Sequence, residues 1–323
     1  MKNFSIILCT LILFSCAGKN SQQTKNQHVE TKNIPVFNAD SAYFFVKKQV
    51  DFGARVPQSK AHKKCADFLK TVLENYGAVA EFQFAKGKLY DGKSIDIQNI
   101  TGKFNVSAKN RILLCAHYDS RPFADNDENT ANHHTPVLGA NDGASGVGIL
   151  LEIARNLKNL PENIGIDIVF FDVEDYGTPQ FYTGRYNADS WCIGSREWAK
   201  EAQKQNYSAQ FGILLDMVGA PNARFYKEQG SMEYAPHVVE KVWNTALALG
   251  FDGYFVSQQG GAIIDDHVNI NQLAKIPCID IIQFEPNSQN GFGDYWHTLR
   301  DDMRNIDRNT LYAVGTTILN VIF

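Results

Sequence analysis

Apolar residues recur at helical spacing from Asp40 to Phe52, behind Asn38-Ala39-Asp40, whose short polar side chains suit a helix start. A second amphipathic stretch runs from Ser59 to Tyr76 and is closed by Gly77. The pattern then changes to period two at Ala80–Phe84 and again at Ile95–Ile100, which predicts strands with one wetted face. Four short continuous apolar runs follow, at Arg111–Ala116, Ile166–Phe171, Gly212–Leu215 and Ile279–Ile282. Runs of that kind belong to strands covered on both faces. Helical patterns separate them, at Ala144–Leu157, Ser195–Gln205, Ala235–Leu249 and Asp307 to the C-terminus. The alternation predicts an α/β fold, a single domain with a central mixed, mostly parallel β-sheet flanked by helices.

The N-terminus is built differently. Lys2 precedes an apolar run from Phe4 to Phe14, too short for the roughly twenty apolar residues a membrane-spanning helix needs, so it reads as a secretory signal. The run ends in Leu13-Phe14-Ser15-Cys16, which resembles a bacterial lipobox with lipid attached at Cys16. The polar stretch from Lys19 to Asn33 suits a flexible tether. The expected organisation is therefore a signal peptide over 1–15, a tether over 16–34 and a catalytic domain over 35–323, where no Pro/Gly-rich linker intervenes. An exported lipoprotein facing the periplasm, anchored to the outer membrane, is the corresponding location.

Composition narrows the function classes. The 323 residues carry 31 Lys and Arg against 35 Asp and Glu, a net charge of −4 that argues against a nucleic-acid binder. With 21 Phe and 13 Tyr the chain can bury a substantial core. Cys65, Cys115, Cys192 and Cys278 remain for the folded part, and no disulfide is assigned among them; Cys115 and Cys278 lie in apolar runs where a free thiol serves as a small hydrophobe.

The candidate chemistry gathers just after the predicted strands, where open α/β sheets place their sites. The segments are Ala116-His117-Tyr118-Asp119-Ser120, Gly139–Gly146, Asp172-Val173-Glu174-Asp175, Asp216–Asn222, Asp265-Asp266-His267 and Trp296-His297-Thr298. Singly, each has an ordinary explanation as a turn or a solvated acidic strand end. As a set they bring carboxylates and imidazoles to successive strand ends, donors that suit Zn²⁺.

In this order the motifs resemble the M28-type zinc peptidases and, within them, the animal-type glutaminyl cyclases and their bacterial relatives. The resemblance implies zinc ligation by Asp142, Asp175 and His297, a proton-shuttling Glu174, and supporting acids at Asp216 and Asp265. It also implies Trp296 and His267 as pocket residues, and Trp191 can supply a second aromatic wall. Asp175 departs from the family pattern, standing where most relatives carry Glu, and Gly177–Cys192 is an insert-like stretch that cannot be matched residue by residue.

Cyclising an N-terminal glutamine requires its α-amine to attack the γ-carboxamide carbon and ammonia to leave, and no water nucleophile is needed. A metal on the amide oxygen and a carboxylate that takes and returns a proton meet those demands. The expectation is a glutaminyl-peptide cyclotransferase holding one Zn²⁺ per chain and acting as a monomer on peptides or proteins with N-terminal Gln. A dizinc aminopeptidase is the rival, with His117 and Asp216 on a second metal and Asp142 as the bridge. A non-catalytic zinc-binding lipoprotein is the third possibility.

Overall fold

A computed structural model describes Met1 and residues 34–323, so Cys16, the rest of the expected signal peptide and the tether up to Asn33 lie outside the described residues. The chain enters through α1 (Ala39–Asp51), whose first turn is capped by the Asn38 side chain accepting from the Ser41 amide at 3.1 Å. Ser59 caps α2 (Lys60–Asn75) in the same way, and Gly77, at φ +94°, turns the chain out of it in a left-handed conformation that favours glycine.

β1 (Val79–Lys88) and β2 (Ser94–Phe104) form an antiparallel hairpin at one edge of a six-stranded sheet. β4 (Ile164–Phe171) runs antiparallel to β2, and from there the sheet is parallel: β4 to β3 (Asn110–His117), β3 to β5 (Gly212–Asp216), and β5 to β8 (Cys278–Ile282). The spatial order is β1-β2-β4-β3-β5-β8, the mixed sheet anticipated from the sequence. The parallel strands are buried almost throughout, and successive residues face opposite sides. Ile112, Leu114, Ile168 and Ile213 pack with α1, α2, α3 (Ala144–Asn156) and α8 (Arg308–Ile322). Leu113, Cys115, Val169 and Leu214 pack on the other side against Trp198 and Ala199 of α4 (Ile193–Lys204). Residues Ile34–Phe323 make one compact unit.

The hydrophobic pattern did not disclose a small second layer. β6 (Phe225–Lys227) pairs with β7 (Phe255–Gln259), and α5 (Gln229–Tyr234) precedes α6 (Pro236–Ala248). α7 (Asp266–Asn269) continues into a π-helical turn over Ile270–Ala274. Apart from α6, which the helical pattern at Ala235–Leu249 anticipates, these elements are too short for periodicity to register. Cys65, Cys115, Cys192 and Cys278 are all buried and free.

Candidate active site

The carboxyl ends of β3, β4 and β5 meet at one edge of the sheet. Adjacent residues of a strand point to opposite faces, so Glu174 and Asp175 could not share a site if β4 simply continued. It does not: Val173 adopts φ +54°, a left-handed conformation unfavourable for a β-branched residue. The bend is pinned by Asp119, whose two carboxylate oxygens accept the amides of Glu174 and Asp175, each at 3.2 Å. Met217, one residue past β5, is likewise left-handed at φ +46°, and its amide donates to Asp216 Oδ1 at 2.8 Å.

The loop carrying Asp142 is fixed from below. Asp301 accepts the amides of Asn141 and Asp142 at 2.8 and 3.1 Å, and the fully buried Arg55 donates to the carbonyls of Tyr118, Leu138 and Gly139 at 2.6–2.8 Å. Gly143 follows because nothing larger fits, since a Cβ there would lie 2.4 Å from the His117 carbonyl oxygen.

Asp142 thereby stands between two histidines. His297 Nε2 lies 3.5 Å from Asp142 Oδ2 and 3.0 Å from Asp175 Oδ1, while His117 Nε2 lies 3.0 Å from Asp142 Oδ1 and 3.2 Å from Asp216 Oδ1. Each trio presents its ligand atoms within 4.8 Å of one another. Behind the rings stand further acids, Asp125 at 3.7 Å from His297 Nδ1 and Asp119 at 3.5 Å from His117 Nδ1, the arrangement that orients metal-binding imidazoles. The two trios differ in one respect. Asp175 Oδ2 is buried without a hydrogen-bond partner, whereas Asp216 Oδ1 accepts both from His117 and from the Met217 amide. Buried carboxylate oxygens without donors fit a metal ion, so the Asp142–Asp175–His297 trio suits zinc even with the shorter aspartate at 175.

Electrostatics separate the acids. Burial alone would raise Asp142, but hydrogen bonds and charge from His117 and His297 prevail and hold it well below the usual carboxylate range. Glu174 is pushed well above its ordinary value by burial and by the nearby Asp175, Asp265 and Asp266. Asp216 is raised to about 7, by burial first and then by Asp142.

A cleft of about 300 Å³ opens over these residues, lined by Glu174, Asp216, Asp265, Trp191, Trp296 and His297 among others. Trp296 stacks on His297 with ring centroids 3.7 Å apart, and Trp191 runs parallel to the same imidazole, 7° from coplanar at 6.0 Å. Arg121 braces this corner. Its guanidinium pairs with Asp125 at 2.7 Å, donates to the Asp175 carbonyl at 3.0 Å, and lies 4.7 Å from the Trp191 ring centroid. The insert-like Gly177–Cys192 stretch thus delivers Trp191 to the cleft.

His267 requires a correction. It does not line the cleft; it is fully buried, with Nε2 3.3 Å from Glu228 and Nδ1 3.9 Å from Asp280. The motif Asp265-Asp266-His267 turns Asp265 toward the opening and His267 inward, because α7 begins between them. Sequence reasoning also passed over Arg55, Arg121, Asp125 and Asp301. Asp119 sat in view between two motif residues and could have been suspected; the others lack any local signature.

These features define a class: an α/β domain with paired carboxylate–imidazole clusters at the carboxyl edge of its parallel strands. The model of peptidase family M28 matches residues 99–322, and the chain belongs to that family. Glutaminyl cyclase from Tannerella forsythia is similar over 89% of this chain and 99% of its own, at 55% identity and a TM-score of 0.86. A leucine aminopeptidase precursor from Bacteroides thetaiotaomicron is similar over 90% of this chain and 98% of its own, at 52% identity and a TM-score of 0.85. Among curated proteins, the glutaminyl-peptide cyclotransferase of Bos taurus is 26% identical over 239 residues, 66% of this chain, and the match spans 62% of the bovine protein.

Proposed function

We propose that this protein is a glutaminyl-peptide cyclotransferase, converting N-terminal glutamine to pyroglutamate with release of ammonia. The observation that carries the reading is the pair of indoles, Trp191 and Trp296, set against His297 in a cleft that also holds Glu174. Rigid aromatic walls hold a small side chain folded back on its own amine, the proximity a ring closure needs. Similarity to bacterial glutaminyl cyclases at 52–55% identity supports it.

Asp142, Asp175 and His297 would hold one zinc ion, which when bound supplies Lewis-acid polarisation of the γ-carboxamide carbonyl. Glu174, in the cleft beside that trio, takes a proton from the attacking α-amine and returns one to the departing nitrogen. Its raised proton affinity suits both halves of that exchange. Asp265 and Asp216 face the same opening and supply acceptors for the substrate amine or the leaving amide. The deciding experiment measures ammonia release from a Gln-initiated peptide beside hydrolysis of aminoacyl anilides. Cyclisation without hydrolysis supports the proposal; efficient hydrolysis with no cyclisation overturns it.

One observation favours the aminopeptidase reading, namely the second trio, His117, Asp142 and Asp216, which shares Asp142 with the first. In this structure His117 Nε2 lies within 3.2 Å of one oxygen of each carboxylate of that trio, and Asp216 Oδ1 also accepts the Met217 amide, whereas Asp175 keeps one buried oxygen without a donor.

The same proposal includes location and form: a lipid on Cys16, a periplasm-facing monomer and substrates bearing N-terminal Gln, with no nucleic-acid partner. Its support is the sequence of the first 33 residues and the charge balance. No helix among the described residues is long and apolar enough to cross a membrane. Replacing Cys16 by Ser should release the protein to the soluble fraction or leave it uncleaved.

A further inference from the structure

Beside the first trio lies a third group of ligand atoms of different chemical character. Cys192 ends the insert-like stretch in a left-handed conformation, φ +53°, and its Sγ donates to Glu174 Oε1 at 3.2 Å. This thiol makes the one hydrogen bond recorded to the Glu174 carboxylate among the described residues. Asp265 completes the group, with an oxygen within 4.8 Å of both the sulfur and the glutamate oxygen. Asp265 is 4% exposed, and its Oδ2 has no hydrogen-bond partner. Its neighbour Asp266 is fully buried, with the Ser195 side chain beside it as a donor. Buried carboxylates in this number, with so few donors among them, favour a cation.

We propose that Glu174, Cys192 and Asp265 form a separate site for a thiophilic divalent ion such as Cd²⁺ or excess Zn²⁺, and that its occupation inhibits the enzyme. One sulfur and two oxygens in a compact trio match the ligand types and number that tetrahedral zinc takes from protein, with a fourth position left to water. Binding forms a metal–sulfur bond as the S–H bond breaks, and the thiol proton leaves through the cleft to solvent. Burial and the surrounding carboxylates keep this thiol protonated in the free protein. Inhibition follows because the ion would occupy the carboxylate proposed to shuttle protons. That consequence rests on the cyclase reading, whereas the binding site does not.

The test uses the full chain carrying its first equivalent of zinc, titrated with Cd²⁺ alone. Uptake is followed by the ultraviolet cadmium–thiolate band and by cadmium NMR, both without substrate, and ammonia release is measured in parallel. The wild type should take up one Cd²⁺ with a thiolate band and lose cyclisation over the same range. Cys192→Ser should show no band and need at least tenfold more Cd²⁺ for equal inhibition. Asp265→Asn should keep the band but require at least tenfold more Cd²⁺ to develop it, which tests the site even if the Cys192 variant folds poorly. Uptake with no sulfur signal, or a band that persists in Cys192→Ser, overturns the proposal. Uptake abolished by His117→Ala instead would assign the ion to the His117, Asp142 and Asp216 trio and also overturn it. Should the sulfur signal appear in a protein that cyclises nothing, the site stands and the cyclase reading falls.

Discussion

Trp296 lies flat against its neighbour His297, with ring centroids 3.7 Å apart and planes inclined by 24°. The left-handed backbone at His297, φ +54°, lets two consecutive side chains share one side of the cleft. The indole therefore serves the imidazole as a packing surface and the cleft as a wall. Trp296→Ala should lower kcat/KM for a Gln-peptide by about tenfold, chiefly through KM, on the usual scale of an aromatic contact plus its buried area. Trp296→Phe should recover much of the loss. A fall in zinc content alongside activity would show that the indole matters mainly for holding His297.

Replacing Glu174 separates chemistry from metal binding. Glu174→Gln preserves shape and removes basicity, so the fold, zinc content and KM should stay close to wild type. Turnover should drop by roughly 10²–10⁴, the range for a positioned acid–base group. A variant that cyclises at near-normal rate would move the assignment to Asp265, which lines the same cleft.

The histidines distinguish one metal from two. His297→Ala removes one of three ligands from the first trio and should lose zinc and activity together. His117→Ala should leave about one zinc per chain by elemental analysis, with activity reduced through the loss of its contacts to Asp142 and Asp216. After chelation, a single equivalent of zinc should restore cyclisation. A requirement for two would favour the aminopeptidase.

Much of this arrangement was legible in the sequence, and the reason is physical. Strand ends in a parallel sheet are fixed by apolar runs, so acids written immediately after those runs, such as Asp216 and the Glu174-Asp175 pair, must emerge at the same edge. What remained hidden depends on backbone turns. Nothing in the letters says that Val173 is left-handed, yet that single φ decides whether Glu174 and Asp175 share a site. The same applies to His267, one residue beyond the start of α7 and therefore turned inward to Glu228 and Asp280. Arg55 and Asp301 act through backbone groups distant in sequence, a relationship no local motif can carry.

Glu228, which no motif suggested, ties the wall of the cleft to the body of the protein. Its Oε1 accepts the amides of Gly230 at 2.7 Å and Ile263 at 3.1 Å, and its Oε2 accepts the Ser231 amide while lying 3.3 Å from His267 Nε2. Ile263 is itself part of the cleft lining. Burial acts to raise the carboxyl, but His267 and the amides of Ser231 and Gly230 outweigh it and bring it from 4.5 to about 2. A carboxylate whose folded value lies below its unfolded one contributes stability that is complete above about pH 4.5 and is lost as the pH falls toward 2. The contribution is on the order of 3 kcal/mol at neutral pH by that linkage. Glu228→Gln should therefore melt below wild type near pH 6, with the deficit shrinking steadily as both proteins are taken toward pH 2. Thermal melts followed by circular dichroism across that range give the comparison. The deficit in Tm near pH 6 should be several degrees and be accompanied by a raised KM, because the freed Ile263 segment no longer holds the cleft wall. A deficit that stays constant from pH 6 to pH 2 would show that the glutamate acts only through packing, and its charge would drop out of the account.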